Sequence, residues 1–432
     1  MQPTPADLSP ALPWALPFLV VLGAIALGPA LLPRRWPHYA GPVMGLIALA
    51  RLVPLAALSG AGAAAAALYH ALAEEYLPFV ALLGGLYVCA GGILVRGGPW
   101  GRPWGNTLLL AIGTLLAGVI GTTGAAMVLI HPLLRANAHR TRKVHLVVFF
   151  TVLVANAGGA LSPLGDPPLY LGYLNGVPFF WPTKHLALPL ALVALPLLGA
   201  FWLLDRSLAR SEPPAPPPEP LALRGGWNLA LLGIIVVTVA GGVDHLLASA
   251  IFIAAAALSL RVTAHAVRAD NHFTWHPIIE VAIVFATIFI TIDPVLAMLR
   301  AGSAGPFAPL LALTTGADGT PSALVYFWLT GMLSGFLDNA PTYLVFHGLA
   351  GIPRGISVGL NGGPGSAGHL LVAISSGAVF AGGLTYIGNA PNLMLRAIAA
   401  HRGVRMPGFA GYLGWAALLL AVPFAALSIL IL

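Results

Sequence analysis

The chain has 432 residues, of which 58% are hydrophobic and only 8% are charged, and its mean hydropathy is +0.90. Because about a quarter of the residues in a soluble domain are charged, this composition excludes a soluble protein and predicts an integral membrane protein. The short alternating segments of a β-barrel are not visible, whereas long apolar runs are frequent. We therefore predict an all-α polytopic membrane protein.

Ten apolar runs reach the length of about 20 residues that a helix needs to cross the hydrocarbon core of a bilayer. The first run is too long for the hydrophobic part of a signal peptide and has no basic segment before it, so it is predicted to be the first span. The predicted spans cover residues 11–32, 39–58, 76–95, 143–174, 186–204, 227–243, 244–262, 277–299, 368–395 and 409–431.

Two further apolar stretches, at about residues 104–132 and 322–350, are interrupted by polar residues. The first is interrupted at Gly121-Thr-Thr-Gly124 and the second at Asp338-Asn-Ala-Pro341. Either half of each stretch, at roughly 13 residues, is too short to cross the bilayer. We therefore predict two re-entrant hairpins, whose tips are surrounded by protein or by a water-filled cavity.

The distribution of the 20 Lys and Arg residues supports this topology. With the amino terminus outside, the outer loops hold only Lys184, Arg300 and Arg354, and nearly all the others lie in cytoplasmic loops. This asymmetry follows the positive-inside rule and predicts a multi-pass protein of the cell (inner) membrane. The net charge of +7 is therefore a topology signal, and the predicted partner is the lipid bilayer rather than a nucleic acid.

Each half of the chain contains five predicted spans and one hairpin. Because five is an odd number, the halves run through the membrane in opposite directions, which is an inverted repeat. The predicted units are residues 1–205, a Pro-rich cytoplasmic linker at 206–226, and residues 227–432. The linker is expected to be an extended tether without a partner of its own.

The two predicted spans at 143–174 and 368–395 are rich in Gly and Pro at matching positions. When the first is shifted by 223 positions, Asp166 falls on Asn389, Ser162 on Thr385 and Gly165 on Gly388. A Gly/Pro-interrupted span in corresponding places of two halves is the best sequence pointer to the binding site of a transporter. We therefore predict two broken helices that meet at such a site.

Ionisable side chains at membrane depth are costly and mark functional sites by default. Asp166 and Asp338 are the strongest candidates, although Asp338 also fits a helix N-cap. Carboxylate, amide and hydroxyl oxygens are the ligands that hard cations such as Na⁺ prefer. The predicted ligands of a small cation are Asn156, Ser162, Asp166, Asp338, Asn339, Thr385 and Asn389. Weaker predictions for the ion or substrate pathway are Thr122, Thr123, Thr342, Ser376 and Asp293, and the roles of His131, His347 and Glu280 stay open.

Three segments of the chain resemble the ion transporter superfamily: Leu161–Leu169, Phe336–Thr342 and Thr385–Asn392. Within it, the chain is most similar to the NhaD-type sodium/proton antiporters and to the CitMHS-like citrate-transport group. The resemblance covers most of the chain. It implies a homodimer of the elevator type, in which a domain with the two hairpins and the two broken helices moves against a fixed scaffold.

The resemblance also implies site residues. The essential polar groups of the NhaD type match Asn156, Asp166, Asp338 and Asn339, and a hairpin serine matches Ser334. At the first hairpin tip the antiporters have Asp-Asn, whereas this chain has Thr122-Thr123. The chain therefore has one buried carboxylate fewer than those antiporters.

Two functions fit these features. The first and favoured one is a sodium(cation)/proton antiporter, in which H⁺ and Na⁺ compete for Asp166 and Asp338. The alternative is a Na⁺- or H⁺-coupled transporter of citrate or a dicarboxylate, in which helix N-termini and the hydroxyls of Thr122 and Thr123 hold the carboxylates. Because no Walker loop, zinc-ligand spacing or nucleophile elbow is present, we expect no enzyme and no cofactor beyond a transported or coupling ion.

Overall fold

The computed structural model describes residues 11–32, 35–316, 319–352 and 366–432. The described part of its first half contains nine α-helices. They are α1 (Leu16–Leu31), α2 (Trp36–Ser59), α3 (Ala61–Tyr69), α4 (Leu77–Gly91), α5 (Pro103–Ile120), α6 (Thr122–Ala136), α7 (Val144–Leu153), α8 (Pro167–Leu174) and α9 (Trp181–Ala209).

The described part of the second half adds ten helices. They are α10 (Trp227–Ala240), α11 (His245–Val262), α12 (His265–Asp270), α13 (His276–Arg300), α14 (Ala308–Leu313), α15 (Ala323–Phe336), α16 (Asn339–Leu349), α17 (Ala367–Ala381), α18 (Ala390–His401) and α19 (Phe409–Leu430). Within the described residues, nine helical segments are long and apolar enough to cross a membrane. The prediction of a polytopic helical membrane protein is therefore confirmed.

The third predicted span, residues 76–95, has the wrong limits. The structure has one continuous helical segment over Ala61–Gly91, in which α3 and α4 are joined by a π-helical turn at His70–Tyr76. An Ala-rich start and two adjacent glutamates gave residues 61–75 the appearance of a loop. In the π-helical turn, the imidazole of His70 lies 2.6 Å from Glu74 and 3.6 Å from Glu75.

The linker is not a free tether, and the fold is not purely helical. Two short strands, β1 (Leu94–Arg96) and β2 (Ala222–Arg224), pair antiparallel, so the end of the linker is bound to the first half. The Glu212 carboxylate accepts hydrogen bonds from the backbone N–H groups of Thr141 and Arg142 and from the Thr141 hydroxyl. Three-residue strands in a polar linker are too short for a periodic pattern to predict them.

Both predicted helix breaks are present. After α7 the chain forms a 3₁₀ turn at Ala157–Leu161 before α8 begins, and after α17 it forms one at Gly382–Leu384 before α18 begins. The starts of α7 and α17, and those of α8 and α18, differ by the same 223 positions that align the sequences. The second broken segment continues to residue 401 rather than 395.

Glycine is required where each break folds back on itself. A Cβ at Gly165 would lie 2.1 Å from the carbonyl oxygen of Gly159, and a Cβ at Gly388 would lie 2.7 Å from that of Gly382. Both distances are shorter than real Cβ contacts. The breaks are therefore tight backbone crossings that no larger residue fits.

The two predicted hairpins correspond to helix pairs that pack against each other. Helices α5 and α6 meet at Gly121, whose φ is +82°, and α15 and α16 meet at Leu337 and Asp338. By length and composition, α5 is itself long enough to cross a membrane. The re-entrant course of these pairs stays a prediction.

Candidate functional site

Asp166 lies at the centre of the predicted site. Its side chain is 2% exposed, and both carboxylate oxygens accept hydrogen bonds. Oδ1 accepts from the Thr122 hydroxyl at 3.0 Å and from the Asn389 amide at 3.1 Å, and Oδ2 accepts from the Asn339 amide. The structure therefore brings both hairpin tips and both helix breaks to one carboxylate.

Four helices begin around Asp166. Thr122 is the first residue of α6, Asn339 is the first residue of α16, and Asp166 and Asn389 occupy the N-cap positions of α8 and α18. A helix N-terminus carries a partial positive charge and free N–H groups. Their convergence favours negative charge at this point, whether that charge belongs to Asp166 or to a bound anion.

A series of hydrogen-bonded Asn side chains holds the Asn389 amide in place. The Asn389 amide also donates to Asn156 Oδ1 at 3.2 Å, and Asn156 donates to Asn392 Oδ1 at 2.9 Å. Asn392 in turn donates to the carbonyl oxygens of Gly382 and Thr385, both at 2.8 Å. These links fix the side chains that surround Asp166 and join the two broken helices directly.

Asn392 was missed as a site residue, although it is fully buried. It lies three positions after Asn389, which places it on the same side of α18 one turn further on. That spacing was the available signal. Asn392 lies in the first turn after the break and not among the residues that interrupt the helix, so the break pattern itself does not mark it.

Ser162 and Thr385 occupy equivalent places in the two breaks. The Ser162 hydroxyl donates to Gly118 O at 2.5 Å, and that of Thr385 donates to Gly335 O, also at 2.5 Å. Each hydroxyl also accepts from the backbone N–H two residues later. Ser162 therefore links the first helix break to α5, and Thr385 links the second helix break to α15.

The other predicted hairpin residues are Ser334, Asp338 and Thr342 in the second hairpin and Thr123 in the first. Asp338 is the N-cap of α16, where its carboxylate accepts from Ala340 N at 3.3 Å, and its carbonyl accepts from the Thr342 hydroxyl at 2.8 Å. The capping role suggested by the sequence is therefore present. Ser334 is buried and donates to the Ala378 carbonyl at 2.6 Å, whereas the half-buried Thr123 faces a cavity.

Ser376 lies on α17 and is buried, and its hydroxyl has no hydrogen-bond partner among the residues that the structure describes. Asp293 belongs to a different group. Its carboxylate lies within 4.8 Å of ligand atoms of His70 and Glu75, on α13 beside the π-helical turn. The structure thus does not bring Asp293 to Asp166.

A cavity of about 60 Å³ adjoins the site. Its polar lining comes from Thr122, Thr123, Asp338 and Asn389, and the opposite wall consists of apolar side chains of α4 and α13. A volume of this size holds a few water molecules or a small ion. The cavity therefore separates the polar site from the apolar side chains of α4 and α13.

The charge balance of the site is its most informative property. Among the described residues, no Lys or Arg forms an ion pair with Asp166, and its partners are neutral amides and a hydroxyl. A buried carboxylate without a cationic partner is costly. The arrangement can accept a proton or a small cation, because either would cancel the charge that the protein leaves unpaired.

The long apolar helices, the two broken helices and the buried polar site define a multi-pass membrane protein with the features of a transporter. A search of curated proteins found no match to this chain. Residues 7–432 match the family described as "Putative citrate transport", and the chain belongs to that family, CitMHS_2. Of the two groups that the sequence resembles, the citrate-transport group is thus the one supported, and membership of the NhaD-type antiporters stays a prediction.

Proposed function

We propose that this protein is a secondary active transporter that moves citrate together with H⁺ or Na⁺, and that Asp166 is the carboxylate that binds the coupling cation. The family supports citrate as the substrate. This order reverses the preference drawn from the sequence, in which cation/proton antiport came first.

The observation that carries the proposal is the neutral environment of Asp166. Thr122, Asn339 and Asn389 come from different segments, and all three donate a hydrogen bond to the buried Asp166 carboxylate. A positively charged partner would have occupied the carboxylate permanently. Neutral partners instead leave a net charge that a transported cation can balance and then release.

Binding of a cation requires oxygen atoms around it, and the amides can supply them. A primary amide offers N–H donors on one side and an oxygen on the other. In the structure Asn339 donates through nitrogen, while its Oδ1 is buried without a hydrogen-bond partner in the described part of the chain. We propose that rotation of this amide, together with Asp166 and Thr122, completes an oxygen shell when Na⁺ is bound.

Citrate would bind beside the cation rather than in contact with Asp166 alone. The converging N-termini of α6, α8, α16 and α18 favour carboxylate groups, and Thr123 lines the cavity. Because the cavity of about 60 Å³ has room only for a small ion, we propose that it widens when the whole citrate anion binds. Two carboxylates side by side repel each other, so the anion needs the coupling cation between itself and Asp166. That requirement would couple the two fluxes.

A second candidate is the sodium(cation)/proton antiporter. The cavity of about 60 Å³ suits a small ion, and no Lys or Arg contributes to its lining in the described residues. In this alternative, Na⁺ and H⁺ would alternate at Asp166 and no organic anion would enter.

We also propose the larger mechanism that the resemblance implies. The common offset of 223 positions between both pairs of helix starts supports an inverted repeat. The apolar contact of the polar site with α4 and α13 fits a transport domain that slides against a scaffold, in an elevator-type homodimer of the inner membrane. Cross-linking of cysteine pairs between α6 and α13 in both transport states would test the sliding step.

Everted membrane vesicles distinguish the two functions. A citrate transporter should take up labelled citrate when a gradient of H⁺ or Na⁺ is imposed, and should leave the pH gradient unchanged when Na⁺ or Li⁺ is added without citrate. An antiporter should collapse the pH gradient on addition of Na⁺ or Li⁺ and take up no citrate. The second result would replace our proposal by the alternative.

A further inference from the structure

His131 is a buried side chain that the transport site does not use. It lies on α6 and is 1% exposed, and among the described residues neither of its ring nitrogens forms a hydrogen bond of good geometry, although the backbone of Asn271 lies near enough to interact with the ring. A neutral imidazole has one N–H donor and one acceptor, and leaving both unsatisfied in the interior is unfavourable. Such a group requires an explanation beyond packing.

The surroundings of His131 are strongly basic. Its ring lies 5.2 Å from that of His272, and the guanidinium groups of Arg135 and Arg402 act on it electrostatically. The Arg402 Nη2 atom is 3.4 Å from His272 Nε2. Within the described residues, neither arginine forms an ion pair with a carboxylate.

The acidic groups nearby do not balance this charge. Asp270, which is paired with Arg96 at 2.6 Å, and Glu219 both act on Arg135 electrostatically, but neither forms an ion pair with it, and three arginines face these two carboxylates. Arginines at the C-terminal end of a helix stabilise the helix dipole, which accounts for Arg135 in the last turn of α6 and for Arg402 at the C-cap of α18. The dipole does not account for a buried histidine with two unsatisfied nitrogens.

His272 lies beside the buried His131. Its φ of +50° makes it the one non-glycine residue with a positive φ in the part of the chain that the structure describes. This conformation closes the end of α12, because His272 N donates to Ala269 O and Phe273 N donates to Arg268 O, both at 3.0 Å. The turn places the exposed His272 next to the buried His131, so the cluster leads from the surface to the interior.

We propose that His131, Arg135, His272 and Arg402 form a binding site for a small phosphate oxyanion, either free phosphate or the phosphate group of a lipid. Guanidinium and imidazole N–H groups are the usual donors to such anions. The anion would accept hydrogen bonds from His131 and reduce the uncompensated positive charge of both arginines. It would also tie α6 and α18, which carry the transport site, to the segment between α12 and α13.

The test is the melting temperature of the purified full-length protein in detergent, measured against phosphate with chloride as the control at equal ionic strength. Phosphate is the suitable probe because citrate would also bind at the transport site. We expect a saturable rise in Tm. Arg402→Gln should weaken the phosphate response by about tenfold in concentration, since one charge-assisted contact is lost. The exposed Arg405 supplies a matched control, and Arg405→Gln should respond like the wild type.

A second variant separates binding from packing. His131→Leu removes both unsatisfied nitrogens, so the Tm without phosphate should not fall, while the rise with phosphate should shrink. In nanodiscs, a Tm that responds to phosphatidylglycerol but not to phosphatidylcholine, and that is lost in Arg402→Gln, would assign the anion to a lipid. The site is disproved if neither phosphate nor anionic lipid raises the Tm, or if the Arg402 and Arg405 variants respond alike.

Discussion

Two buried aspartates in this protein have opposite surroundings. Asp205, at the end of α9, is fully buried and is paired with the Arg140 guanidinium, with His145 Nε2 at 2.9 Å and with the Asn106 amide at 3.0 Å. Asp166 is equally buried but has only neutral donors. The number of hydrogen bonds is similar, and the difference lies in the charge of the partners.

In our proposal, this difference separates Asp205, a structural carboxylate, from Asp166, a carboxylate that binds and releases a cation. Removing one partner of a buried ion pair leaves an uncompensated charge, so the Asp205 network holds α9 against the loop that precedes α7 and tolerates no change. At Asp166, neutral donors orient the carboxylate, and no cationic side chain of the described residues pairs with its negative charge. We propose that the compensating charge comes from a bound H⁺ or Na⁺, which would couple the cation to transport.

The largest expected effect on activity comes from Asp166→Asn. Gradient-driven citrate uptake into proteoliposomes should fall to the background level, because the variant has no negative charge for a cation to balance. The melting temperature should change little, since no charged partner is left alone and the neighbouring amides can turn to suit the new one. A folded variant with normal uptake would show that Asp166 is not the coupling group.

Asp205→Asn should instead lower the stability of the protein, because Asp205 has a structural role. It leaves the buried guanidinium of Arg140 unpaired, and we expect a loss of about 3–5 kcal/mol in the free energy of unfolding. The measurement is thermal unfolding of the purified protein, with any surviving folded fraction assayed for uptake. If Asp205→Asn melted like the wild type, the contrast between the two carboxylates would be lost.

Thr122 offers a smaller and more selective change. Thr122→Val keeps the shape and removes one donor to a charged acceptor, a contact worth about 1.5–3 kcal/mol. The cation concentration that half-saturates citrate uptake should therefore change by at least about tenfold, with the protein still folded. Thr122→Ser keeps the hydroxyl and should behave like the wild type. An equal effect of both variants would assign Thr122 a packing role.

The smallest effect is expected at Glu212, outside the membrane-spanning segments. The backbone N–H of Thr141, helped by the Thr141 hydroxyl and the N–H of Arg142, lowers the pKa of Glu212 to about 2. A depressed pKa contributes stability that is complete above the unfolded pKa of about 4.5 and is lost as the pH falls towards the folded value. The Tm difference between wild type and Glu212→Gln should therefore be constant near pH 7 and shrink below about pH 4.5. A difference that grows on acidification would contradict this account.

The sequence was most informative where the two halves repeat one pattern. Asp166 and Asn389 align at an offset of 223, and the structure places their side chains 3.1 Å apart. Gly165 and Gly388 were visible as helix breakers, and their close backbone crossings give the physical reason. Features shared by both halves could be recognised because each copy supports the interpretation of the other.

What the sequence did not reveal depends on contacts between distant segments. Arg140 and Asp205 are 65 residues apart, and nothing local indicates their pairing. The π-helical turn at His70–Tyr76 lies in a stretch whose glutamates suggested a loop. The preference for citrate that we propose was also beyond the residues themselves, because oxygen-rich sites suit both citrate and an inorganic cation, and it rests on the family match.

The most direct test follows cation and citrate movement together in proteoliposomes that contain the purified protein. We predict that addition of citrate outside drives H⁺ or Na⁺ inward along with it, and that Asp166→Asn abolishes this cation flux. Cation exchange of Na⁺ against H⁺ that proceeds without citrate, or a cation flux with citrate that survives in Asp166→Asn, would contradict the account.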